Sequence, residues 1–291
     1  MLLLGRLPAA DMFPAGRRDL RAHQIELASG LSVRVVEAGS ETAPVVLLLP
    51  GWACSAWIFH DTIGPLADAG FRAVAADLKG HGLSDKPLEA SHYTTEAMRD
   101  HVIEIIDALG AERVILVGHS MGGAIAGHVA AAFPNRVVSV VFVAPVGFAG
   151  VRGLEFLKLI TSRAIAPLLP SLARRAITKA MLRLVYGNTR PVSEKDVDEF
   201  WAPTQFPSFS RALRQLLHHF SWSEPFPALT VPWMTMVGTR DKLSLPSDIA
   251  RYAGADNSAP TVLVPDVGHV VFDENPEFVN GTLMAFFGAS C

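Results

Sequence analysis

Val114-Ile115-Leu116-Val117-Gly118-His119-Ser120-Met121-Gly122-Gly123 decides how the rest of the chain is read. An apolar, β-branched run stops at a glycine, a serine follows two residues later, and further glycines lead into a helix-like stretch over Ala124 to Phe133. This is the G-x-S-x-G pattern of a strand that turns sharply into a helix, straining the backbone of its central residue. Gly118 and Gly122 supply room around Ser120, and Gly123 lets the new helix pack closely. The serine hydroxyl then stands at the positive end of a helix, where it can attack a carbonyl and developing negative charge is stabilised. Ser120 is the candidate nucleophile.

Outward from this turn, apolar runs alternate with helical patterns. Residues 23–38 read as two strands around Ser29-Gly30, and Val45 to Leu49 as a strand buried on both faces. A helix is expected over Trp57 to Ala69, a strand over Phe71 to Ala76, and a helix over Thr94 to Leu109 that stops at Gly110. Val114 to Val117 and Val137 to Val143 are strands, as are Pro232 to Val237 and Thr261 to Val264. Such alternation predicts an α/β fold, a mostly parallel twisted sheet with helices on both faces. The rhythm breaks between Phe148 and about Phe226, where no strand pattern occurs and Pro167, Pro170, Pro191, Pro203 and Pro207 punctuate helical stretches. This stretch reads as an inserted helical cap, residues 148–226, with residues 1–147 and 227–291 as the core.

Composition narrows the function. Half of the 291 residues are hydrophobic and 18% are charged, enough to bury a sizeable core. The mean hydropathy of +0.30 raises the question of a membrane span, but the longest uncharged stretch, Val137 to Val151, is broken by Ser139, Pro145 and glycines. It falls short of the roughly 18–20 apolar residues that a transmembrane helix needs. A net charge of -3 gives no electrostatic case for nucleic acid. Met1 to Leu7 lacks a basic n-region and is too short for a signal peptide, so a cytoplasmic setting is the default expectation. Cys54 and Cys291 form no disulfide framework, and Cys54 reads as a small buried residue.

A serine hydroxyl needs a base to take its proton, and the base needs a carboxylate to fix its tautomer. Among the 10 histidines, His269 follows the strand ending at Val264, in a loop that leads to a helix near Pro276. His81 reads as a loop hydrogen-bonder, His101 and His128 fall within helices, and His218-His219 lie in the cap. His119 adjoins Ser120, but neighbours at such a turn point in different directions. The acid is Asp241, in the loop directly after a core strand, Val237-Gly238-Thr239-Arg240-Asp241. Asp266 and Asp273 sit too close to His269 in sequence to reach its Nδ1 comfortably, and the loop after Val143 has no carboxylate. The order Ser…Asp…His is the one expected after such an elbow. For the oxyanion, the backbone N–H groups of Met121 and Trp52 are the expected donors. No spacing of histidines and carboxylates suggests a metal site, and no cofactor is called for.

With Gly118–Gly122, the Asp77-Leu78-Lys79-Gly80-His81-Gly82-Leu83-Ser84-Asp85 loop, Gly238–Asp241 and Gly268-His269, the chain resembles the α/β-hydrolase superfamily from residue 23 to 288. In many relatives a histidine precedes the glycine of the oxyanion loop, where this chain has Pro50; Trp52 resembles carboxylesterase-type and perhydrolase-type members. Haloalkane dehalogenases and epoxide hydrolases of this superfamily carry an aspartate nucleophile, and Ser120 argues against both. The resemblance implies a carboxylesterase-like serine hydrolase with a catalytic triad and an acyl-enzyme. With no charge cluster in the sequence to recognise an anionic acid, a neutral, medium-sized, hydrophobic ester or lactone is the expected substrate. Acyl transfer, perhydrolysis or C–C bond hydrolysis would use the same triad, and a ligand receptor could retain it. Phe148, Phe156, Trp201, Phe206 and Val270 are the side chains expected to line the substrate pocket.

Overall fold

The computed structural model describes residues 9–147, 151, 153–162, 174–187, 189–222, 228–255 and 259–290. Phe148, Gly150, Pro167, Pro170, Pro225, Pro227 and Cys291, and the cap boundary at 226/227, lie outside these residues, as does the 1–7 segment.

Eight strands form one sheet in the order β1-β2-β4-β3-β5-β6-β7-β8. They are β1 (Arg21–Glu26), β2 (Ser32–Ala38), β3 (Val45–Leu49), β4 (Arg72–Ala76), β5 (Val114–His119), β6 (Val137–Val143), β7 (Trp233–Gly238) and β8 (Thr261–Val264). β1 and β2 form an antiparallel hairpin and β2 pairs antiparallel with β4; every later pairing is parallel. Ser120 follows the central strand β5, so its turn sits at the carboxyl edge, where sites form in parallel sheets.

The strand periodicity explains the layering. Leu47, Leu49, Val74, Leu116, Val140 and Phe142 pack on one face, against Met98, Val102, Ile105 and Ile106 of α2 (Thr95–Ala108) and Ile125 and Val129 of α3 (Met121–Ala132). Their strand neighbours Val46, Leu48, Ile115, Val117 and Val141 face the other side. There they meet Ile63 and Leu66 of α1 (Ile63–Asp68) and Val279, Leu283 and Phe287 of α10 (Pro276–Ser290). Burial on both faces is why these strands read as continuous apolar runs.

Two helices differ from expectation, and β5 runs on to His119. The helix expected over Trp57 to Ala69 is a short 3-10 turn, Ala56–Phe59, followed by α1. Pro65 lacks an N–H and suits the first turn of a new helix rather than the middle of a long one. α3 starts at Met121 rather than Ala124, so Gly122 and Gly123 are themselves helical.

Between β6 and β7 the described residues contain only helices: α4 (Leu154–Ile160), α5 (Arg175–Val185), α6 (Glu194–Trp201) and α7 (Phe209–His219), with a 3-10 turn at Ala202–Gln205. α8 (Pro246–Ala255) follows β7, and the short α9 (Val271–Glu274) precedes α10. This helical segment meets the core through the Trp52 indole, which donates to Leu213 O at 3.1 Å, and through Lys86 Nζ, 4.6 Å from the Phe206 ring centre. No helix of the described residues is long and apolar enough to cross a membrane.

Candidate active site

Ser120 has φ 52° and ψ -117°, a conformation L residues rarely adopt, which the surrounding structure has to enforce. Its N–H donates to Val143 O at 2.9 Å, and its carbonyl accepts from Val146 N at 3.2 Å, which pins the turn to the end of β6. A Cβ on Gly122 would overlap the carbonyls of Leu49 and Pro50, so only glycine lets α3 start this close to the end of β3. Ala53 (φ 63°) and Ala144 (φ 46°), in the loops after β3 and β6, also have left-handed backbone. Non-glycine strain of about 1–3 kcal/mol each is thus held in the loops that follow three neighbouring strands.

Three side chains distant in sequence meet at this edge. His269 Nε2 lies 3.0 Å from Ser120 Oγ, and His269 Nδ1 lies 2.8 Å from Asp241 Oδ2. All three residues are buried, with Ser120 at 8%, Asp241 at 4% and His269 at 7% exposure, so bulk water does not compete for these bonds. Burial works against the charge on Asp241. The His269 imidazole and the N–H groups of Ser244 and Leu243, 3.0 and 2.8 Å from Oδ1, outweigh it and hold the pKa below the ordinary carboxylate value. An ionised Asp241 can only accept, so the proton sits on Nδ1, and Nε2 is left to accept from the serine hydroxyl.

The Asp241 and His269 loops are joined by backbone bonds: Thr239 N donates to Val264 O and Arg240 N to Val267 O, both at 2.9 Å. Asp266 is exposed and pairs with Arg240 at 2.7 Å. Asp273 is buried, but it accepts from the Tyr186 hydroxyl and from Arg190, not from His269.

The loop after β3 lies beside the serine: a Cβ on Gly51 would come within 3.0 Å of Ser120 Cβ. Cys54 N closes a turn onto Gly51 O at 3.1 Å, and Trp52, at the second position of that turn, does not supply the closing N–H. Met121 is the first helical residue after Ser120, and its N–H belongs to the first turn, which has no intrahelical acceptor. Of the side chains expected to line a pocket, Val270 is buried directly after His269, and Phe206 is buried against Lys86. Trp201 is half-buried at the end of α6, Phe156 is 67% exposed on α4, and Phe148 is outside the described residues. The structure therefore brings the Ser120, Asp241 and His269 side chains together, and of the other residues it buries Val270 directly beside His269 in sequence.

His119 has a part that sequence reasoning missed. Its Nε2–H donates to His269 O at 2.8 Å, and the two rings lie 4.9 Å apart. Burial, followed by the nearby His269, pushes the His119 pKa down to about 3, so the ring is neutral. Cys54 is buried, and desolvation pushes its thiol up to about 12, which leaves it unreactive. His81 fills its expected place in the loop after β4, with Nδ1 3.2 Å from Lys79 O.

Residues 44–276 match the family model described as alpha/beta hydrolase fold. The chain belongs to the α/β-hydrolase fold family. Over 278 residues this α/β-hydrolase is 28% identical to the AB hydrolase superfamily protein YfhM of Bacillus subtilis, spanning 89% of this chain and 95% of that protein. A more local similarity, 35% identity over 112 residues, links it to epoxide hydrolase A of Mycobacterium tuberculosis and covers 38% of this chain and 35% of that protein. The solved structure of the carboxylesterase CesB from Bacillus subtilis superposes with a TM-score of 0.80 over 97% of this chain and 95% of that one, at 18% identity. The family thus has both esterase and epoxide hydrolase neighbours.

Proposed function

We propose that this α/β-hydrolase is a serine esterase that cleaves neutral, hydrophobic carboxylic esters or lactones of medium size through an acyl-enzyme. The observation that carries the reading is the linear chain Ser120 Oγ–His269–Asp241, with bonds of 3.0 and 2.8 Å. A hydroxyl nucleophile with an adjacent base is the arrangement for acyl transfer, and it argues against the aspartate-based chemistry of epoxide hydrolases.

His269 Nε2 takes the proton as Ser120 Oγ adds to the carbonyl carbon. Asp241 keeps Nδ1 protonated and stabilises the imidazolium that forms. The N–H groups of Met121 and Trp52 receive the oxyanion, each worth on the order of 3 kcal/mol in the barrier. The same imidazole then hands its proton to the leaving alkoxide. Water, deprotonated by His269, attacks the acyl carbon and releases the acid and free Ser120. The helical segment acts as a cap, and apolar side chains beside the triad, such as Val270, set the range of acyl groups.

The test is a panel of p-nitrophenyl esters and lactones graded by acyl length, assayed with wild type and Ser120→Ala. Multiple turnovers that vanish in Ser120→Ala support the reading. Product partition between water, alcohols and peroxide separates hydrolysis from acyl transfer. A lack of turnover on every ester would point to a receptor that keeps the constellation.

A further inference from the structure

The backbone of His269 is held by both parts of the molecule. Its N–H donates to Val185 O, at the end of α5 in the helical segment, at 2.8 Å. Its carbonyl accepts from His119 on the core side, also at 2.8 Å. At the preceding residue, a Cβ on Gly268 would overlap Gly187 N, so the two backbones are in direct contact. One carboxylate spans this seam. Glu274 accepts from Gly268 N at 2.9 Å through Oε1, and from Gly187 N at 2.6 Å and Thr189 Oγ1 at 3.2 Å through Oε2.

Glu274 is only 6% exposed, and no cation pairs with it among the described residues. A buried carboxylate without a counter-ion is costly, and charge-assisted bonds from backbone N–H groups offset that cost. Here the two N–H donors belong to opposite sides of the seam. An acceptor-only group with two oxygens suits both; an amide would set its own N–H₂ against one of them.

We propose that Glu274 is a positioning residue for His269, tying the residue before the base to Gly187 and Thr189 so that the imidazole reaches Ser120 and Asp241 together. The inference rests on the serine-esterase reading. Glu274 touches neither substrate nor the reacting atoms; it acts through the backbone of Gly268.

Glu274→Gln, Glu274→Asp and Ser120→Ala are compared for kcat and KM on one p-nitrophenyl ester. Circular dichroism checks folding, and the downfield proton resonance of the His269–Asp241 hydrogen bond reports on the imidazole. Glu274→Gln is expected to lose on the order of 10²-fold in kcat, as misplacement of a catalytic group by about 1 Å does, with KM changed less than about twofold. The His269 resonance should shift or broaden in the same variant. Glu274→Asp keeps the charge but is one methylene short, so a loss of roughly 10-fold in kcat is expected, and it provides the test if the glutamine variant does not fold. Wild-type kcat in folded Glu274→Gln or Glu274→Asp, or a kcat loss with an unmoved His269 resonance, would overturn the inference. Activity retained in Ser120→Ala would instead overturn the esterase reading, and the two failures are therefore distinct.

Discussion

The sheet core and the first two helices of the inserted segment, α4 and α5, are packed very differently, whereas α7 buries five of its 11 residues against the core. β3 and β5 are buried at every position, and α3 buries nine of its 12 residues. α4 buries none of its side chains and α5 only Leu182, while Phe156, Leu159, Met181 and Leu184 are 53–67% exposed. Yet the sparsely packed part supplies Val185 O and the Gly187 and Thr189 contacts that anchor the loop of His269. Ser120 and Asp241, the proposed nucleophile and acid, thus rest on the densely packed sheet edge, whereas His269, the proposed base, is bonded across a seam to sparsely buried α5. Regions with few buried apolar contacts open at lower free energy than the global transition. Of the three proposed triad residues, His269 is the one whose backbone N–H is bonded to the end of the sparsely buried α5.

The sharpest way to break that contrast is at the acid, inside the rigid half. Asp241→Asn should lower kcat by about 10⁴-fold with the fold intact, because the imidazole is then held in the wrong tautomer. Steady-state kinetics with circular dichroism checks this, and a loss under tenfold would remove Asp241 from the role proposed for it.

Packing gives the next largest effect. Leu116→Ala, in the fully buried β5, should cost about 2–5 kcal/mol, whereas Leu184→Ala, 62% exposed on α5, should stay within about 0.5 kcal/mol. Urea unfolding of the pair measures the difference, and equal costs would mean that α5 is packed as tightly as the sheet.

Acidification separates the two regions further. In the core, burial pushes His81 down to about 4 and His119 to about 3, and burial also lowers His101. The unfolded chain protonates these histidines near about pH 6.5 and then binds more protons than the fold, so stability is lost as pH falls below that value. His60 works in the opposite sense: burial alone would lower its pKa, but Asp61 and Asp273 raise it, which opposes part of that loss. At the seam, burial raises Asp273 and Glu274, and their contribution is present at low pH and lost as pH rises through the folded value. Between pH 7 and 6 the histidines dominate, and urea stability should fall by on the order of 1 kcal/mol. A flat or rising midpoint would contradict the balance.

What could be read from the chain follows the same division. Ser120, Asp241 and His269 were legible because each lies in a short loop directly after a core strand, where glycine and apolar spacing mark the turn. The helix split at Thr62 was not, because the apolar run through Ile58, Phe59 and Ile63 continues across it. The seam was hidden for a different reason. Val185 acts through its carbonyl and Gly187 through its N–H, and backbone groups leave no signature in residue type. Glu274 binds backbone N–H groups and His119 binds a backbone carbonyl, so residue type marks neither contact.

The central claim, that Ser120 is the nucleophile, is tested most directly by covalent labelling. Incubation with a fluorophosphonate, followed by peptide mass spectrometry, should add one adduct on Ser120, and excess ester present during labelling should slow it. Asp241→Asn should label orders of magnitude more slowly and Ser120→Ala not at all. An adduct on another residue, or unchanged ester turnover in Ser120→Ala, would contradict the account.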